Sequence, residues 1–117
     1  MSQSTPVVIH VKDVESDQVE LLHEAIEMRC AHLAREFHEV GRFELNVFGQ
    51  GTGFEAHGHV SGKHTDFGTH ALAATARSAA DQVLDKLAQQ LRRAHDKRIF
   101  VQRREAQRHP LKRGLQP

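Results

Sequence analysis

Ten basic residues lie between Lys86 and Arg113, against two acidic ones. Lysine and arginine at this density do one kind of chemistry well. They neutralise phosphates, release condensed counterions and give salt-sensitive affinity that depends little on base sequence. The candidate RNA-binding residues are Lys86, Arg92, Arg93, Lys97, Arg98, Arg103 and Arg104. On a helical wheel, Lys86, Arg93 and Lys97 fall within about 40° of one another. Gln82 and Gln90 flank them, and Asp81, Asp85 and Asp96 turn to another side. A helix carrying this pattern presents a cationic stripe beside its apolar face. Few aromatics accompany the block, and Phe48 is the main candidate for base contact on an open sheet face. Recognition of RNA shape and backbone is therefore expected over recognition of base sequence.

Histidine is the other chemically rich residue, with ten copies. His57 and His59 sit two apart on one face of a predicted strand, and His70 could neighbour them on the next. Zinc accepts such ligands, but no carboxylate or cysteine stands at a supporting spacing. The bland reading, polar residues on a solvent face, is preferred to a small histidine-dependent metalloenzyme. Gly49-x-Gly51-x-Gly53 is no phosphate loop, because a strand follows it. Phosphate loops open a helix, whose N-terminus holds the anion. No serine or threonine stands in a nucleophile-elbow setting, and no triad or carboxylate pair is visible. No catalytic residue, metal or cofactor is assigned, no small-molecule substrate is implied, and an enzyme is not expected.

Several elements must position the basic stripe. Val7, Ile9 and Val11 alternate with more polar neighbours and predict a strand. Ser16 or Asp17 supplies an N-cap, with Asp17 and Glu20 as a capping pair. A helix then runs to Phe37, its core stripe being Val19, Leu22, Ile26, Cys30, Leu33 and Phe37. Cys30, the single cysteine, reads as a small buried apolar residue. Phe43–Phe48, Phe54–Ser61 and Asp66–Ala73 predict three further strands, with Gly62-Lys63-His64 as a turn. Thr75 caps a second helix running to Arg98 or beyond, with Ala76, Ala80, Val83, Leu84, Leu87, Leu91 and Ala94 facing the core.

The order β-α-β-β-β-α predicts an α+β domain. A four-stranded mixed sheet carries two helices on one face, a layout like that of double-stranded-RNA-binding domains. The 117 residues suit one domain over 1–100, followed by a basic, flexible tail over 101–117. With no Trp or Tyr and six Phe, the core must be aliphatic and rich in alanine. A single cysteine excludes a disulfide framework. No apolar run approaches a membrane span of ~18 residues. The N-terminus lacks the basic and apolar stretches of a signal peptide, so the cytoplasm is the expected compartment. The net charge of +1 conceals an asymmetry. Residues 1–60 carry four Lys/Arg against ten Asp/Glu, and residues 61–117 carry twelve against five.

The run Ala79-Ala80-Asp81-x-Val83-Leu84-Asp85-Lys86-Leu87-Ala88-x-Gln90-Leu91-x-Arg93-x-x-Asp96-Lys97 resembles the second helix of the ribosome hibernation promoting factor family, which includes ribosome-associated inhibitor A. The resemblance, to the short single-domain members, covers residues 7 to 98 and is most specific in this helix. It implies a ribosome-associated factor that binds small-subunit rRNA in the decoding channel, between head and body, and silences translation under stress. Lys86, Arg93 and Lys97 match basic family positions. Arg92 and Arg98 join them on charge alone, and Arg103 and Arg104 begin a tail that adds electrostatic affinity. The sequence departs from the family pattern at Thr75-Ala76-Arg77, in a first helix bearing Glu20, Glu24 and Glu27, and in its basic tail. The small ribosomal subunit is the expected partner, and a monomer with no membrane partner is expected. A general double-stranded RNA-binding module is the alternative.

Overall fold

The computed structural model describes residues 5–108, with backbone alone for Arg103 and for residues 105–108. The chain runs β1 (Val7–Val11), α1 (Ser16–Glu36), β2 (Val40–Gln50), β3 (Gly53–Gly62), β4 (Thr65–Ala73) and α2 (Ala76–Arg108). The strands form one sheet in the order β1-β2-β3-β4. β1 lies parallel to β2, and the other two pairings are antiparallel. The predicted mixed α+β architecture is the one observed.

Alternation decides which side chains meet the helices. Val7, Ile9 and Val11 stand opposite Phe43, Leu45 and Val47. These continue into Ala56 and Val60 of β3 and Phe67, Ala71 and Ala73 of β4. Leu22, Ile26, Cys30, Leu33 and Phe37 close the core from α1 and its end. Ala79, Ala80, Val83, Leu84, Leu87 and Leu91 close it from α2. Each buried leucine, isoleucine or valine contributes about 1.5–3 kcal/mol. Alanine lets α2 lie close to the sheet, and Gly58 takes this furthest. A Cβ at Gly58 would collide with Val83 Cγ1, so the helix rests on bare backbone there.

The observed elements differ from the expected ones mainly at their ends. Glu15, not Ser16 or Asp17, is the N-cap of α1, and no side chain caps it. Its carbonyl accepts the amides of Gln18 at 2.8 Å and Val19 at 3.2 Å. Thr75 does cap α2, its Oγ1 accepting from the Ser78 amide at 3.1 Å. β2 and β3 extend to a two-residue turn, Gly51-Thr52, where Gly51 takes φ +61°. Glycine adopts that left-handed conformation without a steric penalty.

The largest difference is the length of α2. The sequence predicts a helix to Arg98 or beyond and a flexible tail from residue 101; the helix continues to Arg108. Arginine, glutamine, glutamate and alanine are all good helix formers, so Gln102–Arg108 prolongs the helix without a core beneath it. The remainder of the expected tail, residues 109–117, lies outside the described residues. At 33 residues, α2 is about 50 Å long. No described helix is long and apolar enough to cross a membrane.

Candidate nucleic-acid interface

α2 lies over β3 and β4, and α1 packs beside it over β1 and β2. This arrangement gives α2 two different flanks. Along the edge of β4, Lys86 Nζ donates to the His70 carbonyl at 2.9 Å. That bond also covers one of the free carbonyls of an edge strand, a common protection against unwanted strand pairing. Arg93 and Lys97 follow Lys86 along the same line of the helix, and both are exposed. Because the helix runs on, Arg104 falls on that line too, within about 20° of the other three on the wheel. Among the described residues, none of these four cations has a carboxylate within ion-pair distance.

The opposite flank is neutralised. Arg92 Nη2 meets Glu36 Oε2 at 3.3 Å. Arg98 Nη2 meets Glu39 Oε1, in the α1–β2 connection, at 2.9 Å. In the reverse sense, Arg29 of α1 pairs with Asp85 at 2.8 Å and donates to the Asp81 carbonyl at 3.2 Å. Arg77 adds a bond to Asp81 at 3.3 Å. Of the seven candidate residues, then, Lys86, Arg93, Lys97 and Arg104 form one exposed line. Arg92 and Arg98 are turned toward the acidic residues of the first helix and its C-terminal connection. Arg103 lies in the helix, and its side chain is outside the described residues.

The acidic first helix, a departure from the expected family pattern, thus has part of its counterpart within the fold. Glu20, Glu24 and Glu27 face solvent, while Glu36 holds Arg92. The single cysteine sits in the core stripe as expected. Cys30 is fully buried, and burial pushes its thiol up to about 12, which makes it a poor nucleophile at neutral pH.

The open face of the sheet has a different chemistry. Phe48, His57 and His70 stack across three strands, with centroids 5.7 and 5.4 Å apart and interplanar angles of 14° and 22°. Rings stacked between neighbouring strands cover one another's faces and leave their edges to solvent. His57 bonds Glu55 at 2.6 Å and His59 bonds Asp66 at 2.5 Å. His57, His59 and His70 line, with Glu44, Asn46, Gly68 and Thr69, a shallow depression of about 370 Å³. The fold therefore does bring His57 and His70 together, but as a stack. His59 is engaged by a carboxylate. Among the described residues no group of three His, Cys, Asp or Glu is arranged to hold a metal ion.

Residues 7–99 match the family described as Sigma 54 modulation protein / S30EA ribosomal protein. The chain belongs to this family. The match spans the whole sheet, α1 and the core-facing part of α2, and it is the family of hibernation factors that the second helix resembles. Family membership thus coincides with the part of the chain that builds the core and carries Lys86, Arg93 and Lys97. Among the solved structures that share the fold, two align over nearly their whole length. One is a ribosomal subunit interface protein from Coxiella burnetii, with 14% identity and a TM-score of 0.62, covering 79% of this chain and 99% of that one. The other is the N-terminal domain of Thermus thermophilus Protein Y, with 17% identity and a TM-score of 0.64, covering 78% of this chain and 98% of that one. No curated protein matches the chain at a significant level.

What the sequence missed in this family member follows from the underestimated length of α2. A tail from residue 101 places Arg104 outside the helix, and Phe100 then falls at the boundary with no partner on its face. The spacing 93-97-100-104 continues the helical repeat and was the available signal. The partners of Arg92 and Arg98 had no comparable signal, because Glu36 and Glu39 are 56 and 59 positions away.

Proposed function

We propose that the protein binds the rRNA of the small ribosomal subunit in the decoding channel and holds the ribosome translationally silent. One observation carries the reading. Lys86, Arg93, Lys97 and Arg104 form a continuous exposed line, and among the described residues no carboxylate pairs with any of them. Cations spaced along a helix at one-to-two-turn intervals can track a phosphate backbone while asking nothing of the bases. Membership of the S30EA family and the fold shared with a ribosomal subunit interface protein support the ribosome as the source of that RNA. The mechanism is steric. A rigid domain held by backbone contacts occupies the space that mRNA and tRNA need, and no chemical step is required of it.

Gradient sedimentation with ribosomes tests the first part. Lys86→Glu with Arg93→Glu releases the protein from the small subunit, and unchanged co-sedimentation of the double variant would overturn the reading. The placement in the decoding channel is tested by preloading small subunits with mRNA and tRNA, which should exclude the protein. Equal binding to loaded and empty subunits would move the site elsewhere. An excess of free duplex RNA should fail to displace the protein. Efficient displacement would favour a general double-stranded RNA-binding module.

A further inference from the structure

Phe100 is a large aromatic side chain, 60% exposed, on the segment of α2 that projects beyond the sheet. It stands between Lys97 and Arg104 in the sequence and shares their side of the helix. Lys86, Arg93, Lys97, Phe100 and Arg104 all fall within an arc of about 60°. The Arg104 guanidinium lies 5.8 Å from the ring centroid, a cation–π distance that orients both groups. Of the other exposed large apolar residues, Val101 adjoins Phe100 in the chain, and three have different surroundings. Leu21 borders a groove between the N-terminal ends of the two helices. Met28 projects from the acid-rich α1, and Leu72 stands on the open sheet face. Among the described residues, Phe100 alone is an exposed aromatic set into the basic line.

Exposing a ring to water is unfavourable, and the cations on both sides say what kind of partner covers it. A polyanion complements Arg93, Lys97 and Arg104, and an unpaired nucleotide is the polyanion unit that also offers a flat apolar face. We propose that Phe100 stacks on an unpaired base of the bound RNA, while Lys97 and Arg104 hold the phosphates on either side of it. This rests on the RNA-binding reading above and adds to it a requirement for a single-stranded or bulged nucleotide. Every base has a π-face, so the contact tolerates any sequence. It also moves the stacking role away from Phe48, which is half-buried and stacked on His57, to the more exposed Phe100.

The chain contains no tryptophan, so Phe100→Trp creates a single fluorophore at the site. In the full chain, its emission should be quenched by a 12-nucleotide oligoadenylate and left unchanged by heparin, a polyanion without bases. Phe100→Ala should weaken oligoadenylate binding about 5- to 150-fold, the range that loss of one stacked base represents. The same variant should change affinity for a blunt 12-base-pair RNA duplex less than twofold. Equal quenching by heparin, or equal weakening for strand and duplex, would overturn the assignment. So would self-association of the wild-type protein that Phe100→Ala abolishes, since the ring would then cover a second copy. Lys86→Glu with Arg93→Glu serves as the reference. If it abolishes oligoadenylate binding and Phe100→Ala does not weaken it, stacking fails while the phosphate reading stands. If neither variant affects binding, both fail.

Discussion

The open face of the sheet and the β4-side line of α2 are the two surfaces with polar or basic groups suited to RNA, and they are built on opposite principles. The sheet face carries more polar groups, including His57, His59 and His70, but they satisfy one another. His57 bonds Glu55, His59 bonds Asp66, and the Phe48–His57–His70 stack covers the ring faces. The α2 line carries fewer groups, and its cations have no acidic partner among the described residues. Residue type alone does not distinguish a recognition surface from a solvated one. The decisive property is whether the charges and ring faces are already occupied within the fold. The same lesson holds within α2 itself, where Arg92 and Arg93 are adjacent in sequence but differ in availability. Arg92 meets Glu36 on the flank facing α1, and Arg93 faces solvent.

That contrast can be broken most directly by charge reversal. Arg93→Glu with Lys97→Glu should reduce affinity for small subunits by two orders of magnitude or more at low salt. Introducing Lys at Glu44 and Asp66 on the sheet face should leave affinity within a few fold. Filter binding against a salt titration measures both. Each phosphate contact removed should lower the slope of log affinity against log salt by about one. Equal losses from the two surfaces would end the distinction between them.

A smaller effect is expected between the neighbours on α2. Arg93→Ala should weaken ribosome binding several-fold with little change in melting temperature. Arg92→Ala should cost about 0.2–1 kcal/mol of stability, the usual worth of an exposed ion pair, and change binding less. Comparing thermal unfolding with co-sedimentation separates the two roles.

Packing gives a further prediction. Gly58→Ala places a methyl against Val83 and Leu87. It should destabilise the domain by about 1–3 kcal/mol in urea unfolding, as overpacking of a tight core does. The displaced α2 should then hold the basic line less well against β4, so ribosome binding should fall with stability.

The smallest effect concerns Cys30. Its folded-state thiol is raised to about 12 from a reference of 9.0. The unfolded chain therefore ionises first as pH rises. The stability contribution is complete below about pH 9 and is lost progressively toward pH 12. Native protein should resist alkylation by iodoacetamide at pH 8 and react once unfolded in urea. Cys30→Ala should flatten the alkaline part of the pH–stability profile, leaving the line on α2 unchanged.

Local pattern made much of this protein legible. Period-two alternation in Val7–Val11, Phe43–Phe48 and Phe54–Ser61, and the helical stripes from Leu22 to Phe37 and from Ala76 to Ala94, each depend on neighbours within a few residues. The family-like run through Lys86, Arg93 and Lys97 is equally local. The ends were less legible. The extension of α2 to Arg108 depends on helix propensity without tertiary burial, and the N-cap at Glu15 uses a backbone carbonyl that any residue can supply.

Element order, core identity and the concentration of basic charge in the second half of the chain are all readable from the amino-acid sequence. All three follow from residue type and short-range spacing. Which of those charges are available depends on the folded arrangement. Ion pairing depends on distances between side chains remote in sequence, such as Arg98 and Glu39 at 2.9 Å, and those distances exist only once α1 lies against α2. The small net charge is thus divided in space. Some arginines join the two helices, and a line of cations along α2 is left facing solvent.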